Sequence, residues 1–110
     1  MNLAIDINEK MNQIHVQLSG EIDAYTAPKL KEELYPFAEK ENACIIICLK
    51  DVGYMDSTGL GVFVGLLKSV RKRNGQLTLT GLSNRLERLF TITGLSDIIN
   101  ITTNAVGENE

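Results

Sequence analysis

The sequence predicts an α/β fold, a mixed β-sheet packed with α-helices in one domain, and three observations predict it. Segments of strand period and helix period alternate in the order β-β-α-β-α-β-α-β. That order contains two strand-helix-strand units, hence parallel strands joined by right-handed crossovers. The first two strands, joined by a short polar connection, form an antiparallel hairpin. The 110 residues, 44% of them hydrophobic, suffice for one buried core and not for two.

The hairpin is the first element. Residues 3–8 alternate apolar and polar, as do residues 13–19 through Ile14, Val16 and Leu18, with Glu9-Lys10-Met11-Asn12 between them. His15 points away from Ile14 and Val16, toward the polar side, which makes it a solvated histidine. Gly20-Glu21-Ile22-Asp23 breaks the strand, with Glu21 a solvated turn residue. A helix follows from Thr26 or Ala27, with Pro28 in its first turn, where the missing N–H costs nothing. Ala27, Leu30, Leu34, Phe37 and Ala38 share its apolar face, and Pro36 should kink or shorten its last turn.

Cys44-Ile45-Ile46-Ile47-Cys48-Leu49 is apolar on both faces, the pattern of a central strand covered on both sides. Cys44 and Cys48 are then buried free thiols. Residues 50–54 form the connection to a second helix that starts at Ser57 or Thr58 and runs to Asn74. Gly75 stops it, and Arg71-Lys72-Arg73 sit at its negative end. Residues 76–80 give a short strand. Ser83 caps a third helix carrying Leu86, Leu89 and Phe90, which Gly94 ends, and residues 98–102 add an edge strand. The core spans residues 3–102, and the tail from Asn104 to Glu110 is expected to fray.

Composition excludes several functions. Eleven Lys and Arg against fourteen Asp and Glu give a net charge of -3 with no basic block, so no nucleic-acid partner is expected. The N-terminus lacks the basic and apolar blocks of a secretion signal, and no apolar run is long enough to span a bilayer, so a cytoplasmic protein without a membrane partner is expected. One histidine and two cysteines without a paired motif give no metal site, and no cofactor is expected.

The chemistry concentrates in Met55-Asp56-Ser57-Thr58-Gly59-Leu60-Gly61, where a hydroxyl stands at a helix start. A helix start leaves N–H groups unpaired and is positively polarised, so that hydroxyl can cap the helix, lie near an anion or carry a phosphate. Plain capping by Ser57 stabilises by ~1 kcal/mol and requires no function. Catalysis by Ser57 lacks support: the serine has no glycine-flanked elbow, and the one histidine belongs to the distant hairpin. Gly59-Leu60-Gly61 likewise has neither a P-loop lysine nor a full dinucleotide fingerprint.

Leu60, Phe63, Val64 and Leu67 form one helical stripe for the sheet, while Val62, Leu66 and Val70 lie elsewhere on the same helix, so part of its apolar surface is expected to be exposed. Gly59, Gly61 and Gly65 each weaken the helix by up to about 1 kcal/mol relative to alanine. They admit either a recognition partner or tight helix-on-sheet packing. Asp23 and Asp56 both follow strands and precede helices, which places them on one edge of the sheet, although loop and capping chemistry also favours Asp at such positions.

Three stretches in order resemble a known family: Gly20-Glu21-Ile22-Asp23; Lys50-Asp51-Val52 with Tyr54-Met55-Asp56-Ser57-Thr58-Gly59-Leu60-Gly61-Val62; and Arg88-Leu89-Phe90 with Thr93-Gly94-Leu95. They resemble the STAS-domain anti-anti-sigma factors of Gram-positive bacteria, most of all the general-stress (sigma-B) branch. The resemblance implies a single STAS domain over 1–110 and a regulatory, non-enzymatic role. Its unphosphorylated form would bind an anti-sigma factor that is also a serine kinase, releasing the sigma factor, and a PP2C-type phosphatase would reset the phosphorylated form. The acceptor maps to Ser57, with Thr58 as the alternative. The partner-binding set implied is Asp23, Asp56, Ser57, Thr58, Gly59, Leu60, Gly61 and Val62. A STAS module of another partner-switching pathway, sporulation-type or stress-sensing, is the alternative.

Overall fold

Two strands of opposite direction open the chain in a computed structural model that describes residues 2–102, so the tail from Asn104 lies outside the described residues. β1 (Leu3–Lys10) and β2 (Gln13–Ile22) pair antiparallel from Leu3 opposite Gly20 to Lys10 opposite Gln13. Only Met11 and Asn12 remain for the turn, and Met11 takes a left-handed φ of 55°. The chain then continues through α1 (Ala27–Ala38), β3 (Cys44–Met55), α2 (Ser57–Lys72), β4 (Gln76–Thr80), α3 (Asn84–Ile92), a 3₁₀ turn (Leu95–Asp97) and β5 (Asn100–Thr102).

The five strands lie side by side in sequence order, and every pair after the first is parallel. Three strand-helix-strand units are present rather than two, because β5 also pairs parallel with β4. Crossovers of one hand between strands taken in order carry all helices to one face. Burial follows: Ile14, Val16, Leu18, Ile45, Ile47, Leu49, Leu77 and Leu79 are buried under the helices. The alternating residues Asp6, Gln17, Ile46, Cys48, Thr78 and Thr80 are exposed or half-buried.

This corrects the expectation of a strand covered on both sides. Cys44 and Cys48 are free but only half-buried, shaded by the flanking strands and by no helix layer. The core lies between the helix-bearing face of the sheet and α1, α2 and α3. Phe63 of α2 and Phe90 of α3 meet edge to face at 6.1 Å and are fully buried. Each such burial is worth roughly 1.5–3 kcal/mol.

The inner strands run past the sequence-predicted ends, toward the region of interest. β2 includes Gly20, Glu21 and Ile22, and β3 includes the expected connection, Lys50 to Tyr54. Their register shifts twice: Gln17 faces Cys48 but Ser19 faces Asp51, and Gly20 faces Val52 but Glu21 faces Tyr54. Each shift puts an extra residue in β3, the signature of a bulge that bends a strand while pairing continues. Polar residues in this stretch therefore belong to a bent sheet, not to a loop.

α1 starts at Ala27 with proline in its first turn, as expected, and Pro36 falls inside it two residues before its end. α2 ends at Lys72, two residues short of the expected Asn74, and the left-handed residue that stops it is Asn74, not Gly75. Asn74 takes φ 62°, and the Gly75 N–H reaches the Val70 carbonyl at 2.6 Å while the Asn74 N–H reaches Arg71. These two bonds form a Schellman closure with asparagine at its left-handed position. Ser83 caps α3 by accepting the Leu86 N–H at 3.2 Å, and the edge strand begins two residues late, at Asn100. No helix among the described residues is long and apolar enough to cross a membrane.

Candidate functional site

The start of α2 is capped by Asp56, not by Ser57. Asp56 is extended (φ -110°, ψ -173°), and its side chain accepts the Gly59 N–H at 3.1 Å. Asp and Ser are equally competent caps, so the single-residue offset decides between them. Ser57 becomes the first helical residue, exposed, and its hydroxyl makes no hydrogen bond among the described residues. Capping therefore does not account for Ser57.

Asp23 lies beside this helix start. Ile22 and Met55 are direct partners in the sheet, and the Asp56 N–H donates to the Ile22 carbonyl at 3.2 Å, so the residues after β2 and β3 emerge together on one edge. Asp23 is only 7% exposed, and its Oδ1 accepts the N–H groups of Tyr25 (2.9 Å) and Thr26 (3.0 Å). It is thus structural as well as near the site, and its replacement by alanine should cost stability rather than leave it intact.

A cleft of about 450 Å³ opens there, lined by Glu21, Asp23, Ala24, Tyr25, Gly53, Tyr54 and Asp56. Tyr25 is 84% and Tyr54 46% exposed, so two aromatic rings and three carboxylates share this recess. Sequence reasoning missed both tyrosines. Their signal was present: each lies two residues from a candidate aspartate, in a segment with no apolar period to absorb it. Glu21, taken as a solvated turn residue, is half-buried within β2, and its N–H donates to the Asn2 carbonyl.

Thr58, the residue after Ser57, lines a groove of about 360 Å³ between α1 and α2, together with Ala24, Ala27, Pro28, Lys31, Tyr35, Gly61 and Val62. Lys31 holds its ammonium 5.4 Å from the Tyr35 ring centre. The Tyr35 hydroxyl donates to the Val62 carbonyl at 3.3 Å, and burial pushes its pKa up from the ordinary phenol value.

α1 covers much of the apolar surface expected to be exposed on α2. Gly59, Leu60, Val62, Phe63, Leu66, Leu67 and Val70 are buried, and Val64 is half-buried. Of the sequence-derived partner residues, Ser57, Thr58 and Gly61 are presented outward. Gly59, Leu60 and Val62 are covered, and the two aspartates lie in the cleft.

The three glycines of α2 separate by the same criterion. A Cβ on Gly59 would come within 2.7 Å of Ile22 Cγ2, 2.9 Å of Met55 Cγ and 3.1 Å of the Ile22 carbonyl oxygen. One on Gly65 would overlap the Tyr35 hydroxyl, whereas one on Gly61 would meet nothing within 4 Å. Packing explains Gly59 and Gly65; only Gly61 is left for recognition. Gly59→Ala should destabilise by about 1–2 kcal/mol, because the overpacking penalty exceeds the gain in helix propensity. A lower denaturation midpoint at unchanged m-value checks this, and an equal or higher midpoint would contradict it.

Other chemistries find little here. His15 is bonded to Gln13 on the uncovered side of the sheet. No group of three or more His, Cys, Asp or Glu that could hold a metal occurs among the described residues.

With that geometry in view, similarity to known proteins is informative. The family model described as the STAS domain matches residues 4–108. The anti-sigma-B factor antagonist of Bacillus subtilis is 56% identical over 107 residues, 97% of this chain and 97% of its own. That of Listeria monocytogenes is 57% identical over 109 residues, 98% of this chain and 95% of its own. A crystal structure from Thermotoga maritima superposes with a TM-score of 0.84 at 26% identity, covering 94% of this chain and 88% of that one. The anti-sigma factor antagonist SpoIIAA in its unphosphorylated form shares the fold, with a TM-score of 0.74 at 17% identity over 90% of this chain and 87% of its own.

Proposed function

The chain belongs to the STAS domain family, and from that premise we propose that it is an anti-sigma factor antagonist, a regulatory binding protein whose hold on its partner is switched by phosphorylation of Ser57. In the unphosphorylated state it binds an anti-sigma factor that is also a serine kinase, and the sigma factor is released. Phosphorylation ends that binding, and a PP2C-type phosphatase restores it. This chemistry belongs to the cytoplasm and requires no cofactor.

One observation carries the reading: Ser57 is exposed at the first position of α2 with its hydroxyl uncommitted, because Asp56 has taken the cap. A kinase needs an accessible hydroxyl whose removal from the fold costs nothing. The surroundings suit a switch. Asp56, the residue before Ser57, lines the cleft and Thr58, the residue after it, lines the groove, so a partner seated across both recesses covers the acceptor. Thr58 also lines the groove and is the neighbouring alternative acceptor.

Incubation with ATP and recombinant anti-sigma-B factor of Bacillus subtilis, followed by mass spectrometry of the modified peptide, tests the proposal. Phosphate on Ser57 is the expected result. Complex formation without modification at Ser57 or Thr58 would refute the switch while leaving the binding function.

Gly61 supplies an independent measurement. With open space around it, Gly61→Ala should stabilise the free protein by about 0.5–1 kcal/mol. It should also weaken anti-sigma binding several-fold, since a methyl stands where the partner backbone approaches. Unchanged affinity in calorimetric titration would remove the groove from the interface.

A further inference from the structure

Among the described residues only two polar or charged side chains are buried, Asp23 and Thr26, each 7% exposed. They are bonded to one another. The Thr26 hydroxyl oxygen accepts the Asp23 N–H at 2.9 Å, and the hydroxyl donates to the Glu21 carbonyl at 2.8 Å, with Asp23 Oδ1 3.3 Å away as its second acceptor.

Thr26 stands at the N-cap of α1, where a threonine hydroxyl ordinarily accepts an N–H of the first turn, yet it makes no such bond. It turns backward and forgoes that stabilisation to lock the preceding turn. The result is asymmetric: the three contacts that reach the Asp23 carboxylate, from Tyr25 N–H, Thr26 N–H and the Thr26 hydroxyl, all fall on Oδ1. Oδ2 has no partner among the described residues, and Asp23 lines the cleft beside Asp56 and Tyr54. An acceptor left open on the wall of a cleft is free to take a donor that enters it.

We propose that Thr26 is a positioning residue. It fixes Asp23 with one carboxylate oxygen locked in the turn and the other held for a hydrogen-bond donor of the anti-sigma factor. This rests on the partner-binding reading above and extends it to a residue that reading does not use. Thr26 touches no partner; it acts through Asp23. A rigid, pre-aimed acceptor loses less freedom on docking than a mobile one, so the effect falls on affinity.

The test measures affinity for recombinant anti-sigma-B factor of Bacillus subtilis by calorimetric titration, beside thermal denaturation of each variant. Thr26→Val should weaken binding about tenfold, and Thr26→Ser, which keeps the hydroxyl, should bind within about twofold of the parent whatever its stability. Asp23→Asn retains a carbonyl oxygen for the locked contacts and converts the free acceptor into a donor. It should lose at least tenfold in affinity at nearly unchanged melting temperature. Should Thr26→Val fail to fold, the Asp23→Asn and Thr26→Ser pair still decides.

Affinity that follows melting temperature across all three variants would overturn the proposal, as would Asp23→Asn binding within twofold of the parent. If those variants bind normally while Ser57→Asp does not, this inference alone fails. If the parent chain itself shows no binding, the partner reading fails.

Discussion

Ser57→Asp should reduce binding to the anti-sigma factor by about a hundredfold, and phosphoserine should reduce it further. Ser57 is exposed at the first position of α2, between the carboxylate-lined cleft and the α1–α2 groove. A partner seated across both recesses excludes water from that point. Leaving one charge buried and unpaired costs on the order of 3–5 kcal/mol, and each 1.4 kcal/mol is a factor of ten in affinity. A hundredfold, about 2.8 kcal/mol, allows the aspartate some relaxation toward solvent. The phosphate carries about -1.5 to -2 charges and three acceptor oxygens, hence the larger loss.

The free protein should not suffer. A negative charge in the first turn of a helix is favourable by about 0.3–1 kcal/mol, and the Asp56 cap is untouched. Ser57→Ala should bind within about threefold of the parent and resist switching, since its hydroxyl makes no bond among the described residues. Backbone chemical shifts on phosphorylation should change near Ser57 and hold across the sheet, because the proposed switch acts by local conflict and requires no refolding. Ser57→Asp binding within threefold of the parent, or shifts spread over β2 to β4, would defeat it.

The element order, the hairpin, the amphipathic helices and the Ser83 cap were legible because each depends on local periodicity or turn chemistry. What was illegible depends on partners far along the chain. Lys50, Asp51 and Gly53 look like a connection, and only the Ser19–Ile22 stretch of β2 makes them strand. Residues 44–49 look covered on both sides because lateral shading by β2 and β4 favours apolar residues, even where no helix lies.

The site was legible in kind and not in detail. Asp56 and Ser57 are adjacent cap formers, and no composition rule says which takes the Gly59 N–H. Gly59, Gly61 and Gly65 are the same letter in three environments, two against other chain segments and one in the open. The Asp23–Thr26 lock depends on which way a hydroxyl rotates.

The largest stability effect is expected at a residue with no side chain, Gly20. Its φ is +122°, and a Cβ there would overlap the Asn2 carbonyl oxygen and stand 3.2 Å from the Leu3 Cα. That backbone region costs a non-glycine residue about 1–3 kcal/mol, before any displacement of the first strand. Displacement follows, because the Asn2 carbonyl receives the Glu21 N–H at 2.9 Å and Gly20 pairs directly with Leu3. Losing that bond adds about 1 kcal/mol. Gly20→Ala should therefore destabilise by about 2–4 kcal/mol and lower the melting temperature by roughly 8–17 °C for a domain of this size. Gly53→Ala is the matched control: it lies in the same bent region, lacks a positive φ, and a Cβ on it meets nothing within 4 Å, so its melting temperature should hold. Because Gly20 sits at the bend just before Glu21, Ile22 and Asp23, its replacement should also weaken anti-sigma binding in the fraction that remains folded. A fall of less than about 3 °C would mean that β1 can yield at Asn2, and that the bend presenting Asp23 does not depend on the close approach of these two strands.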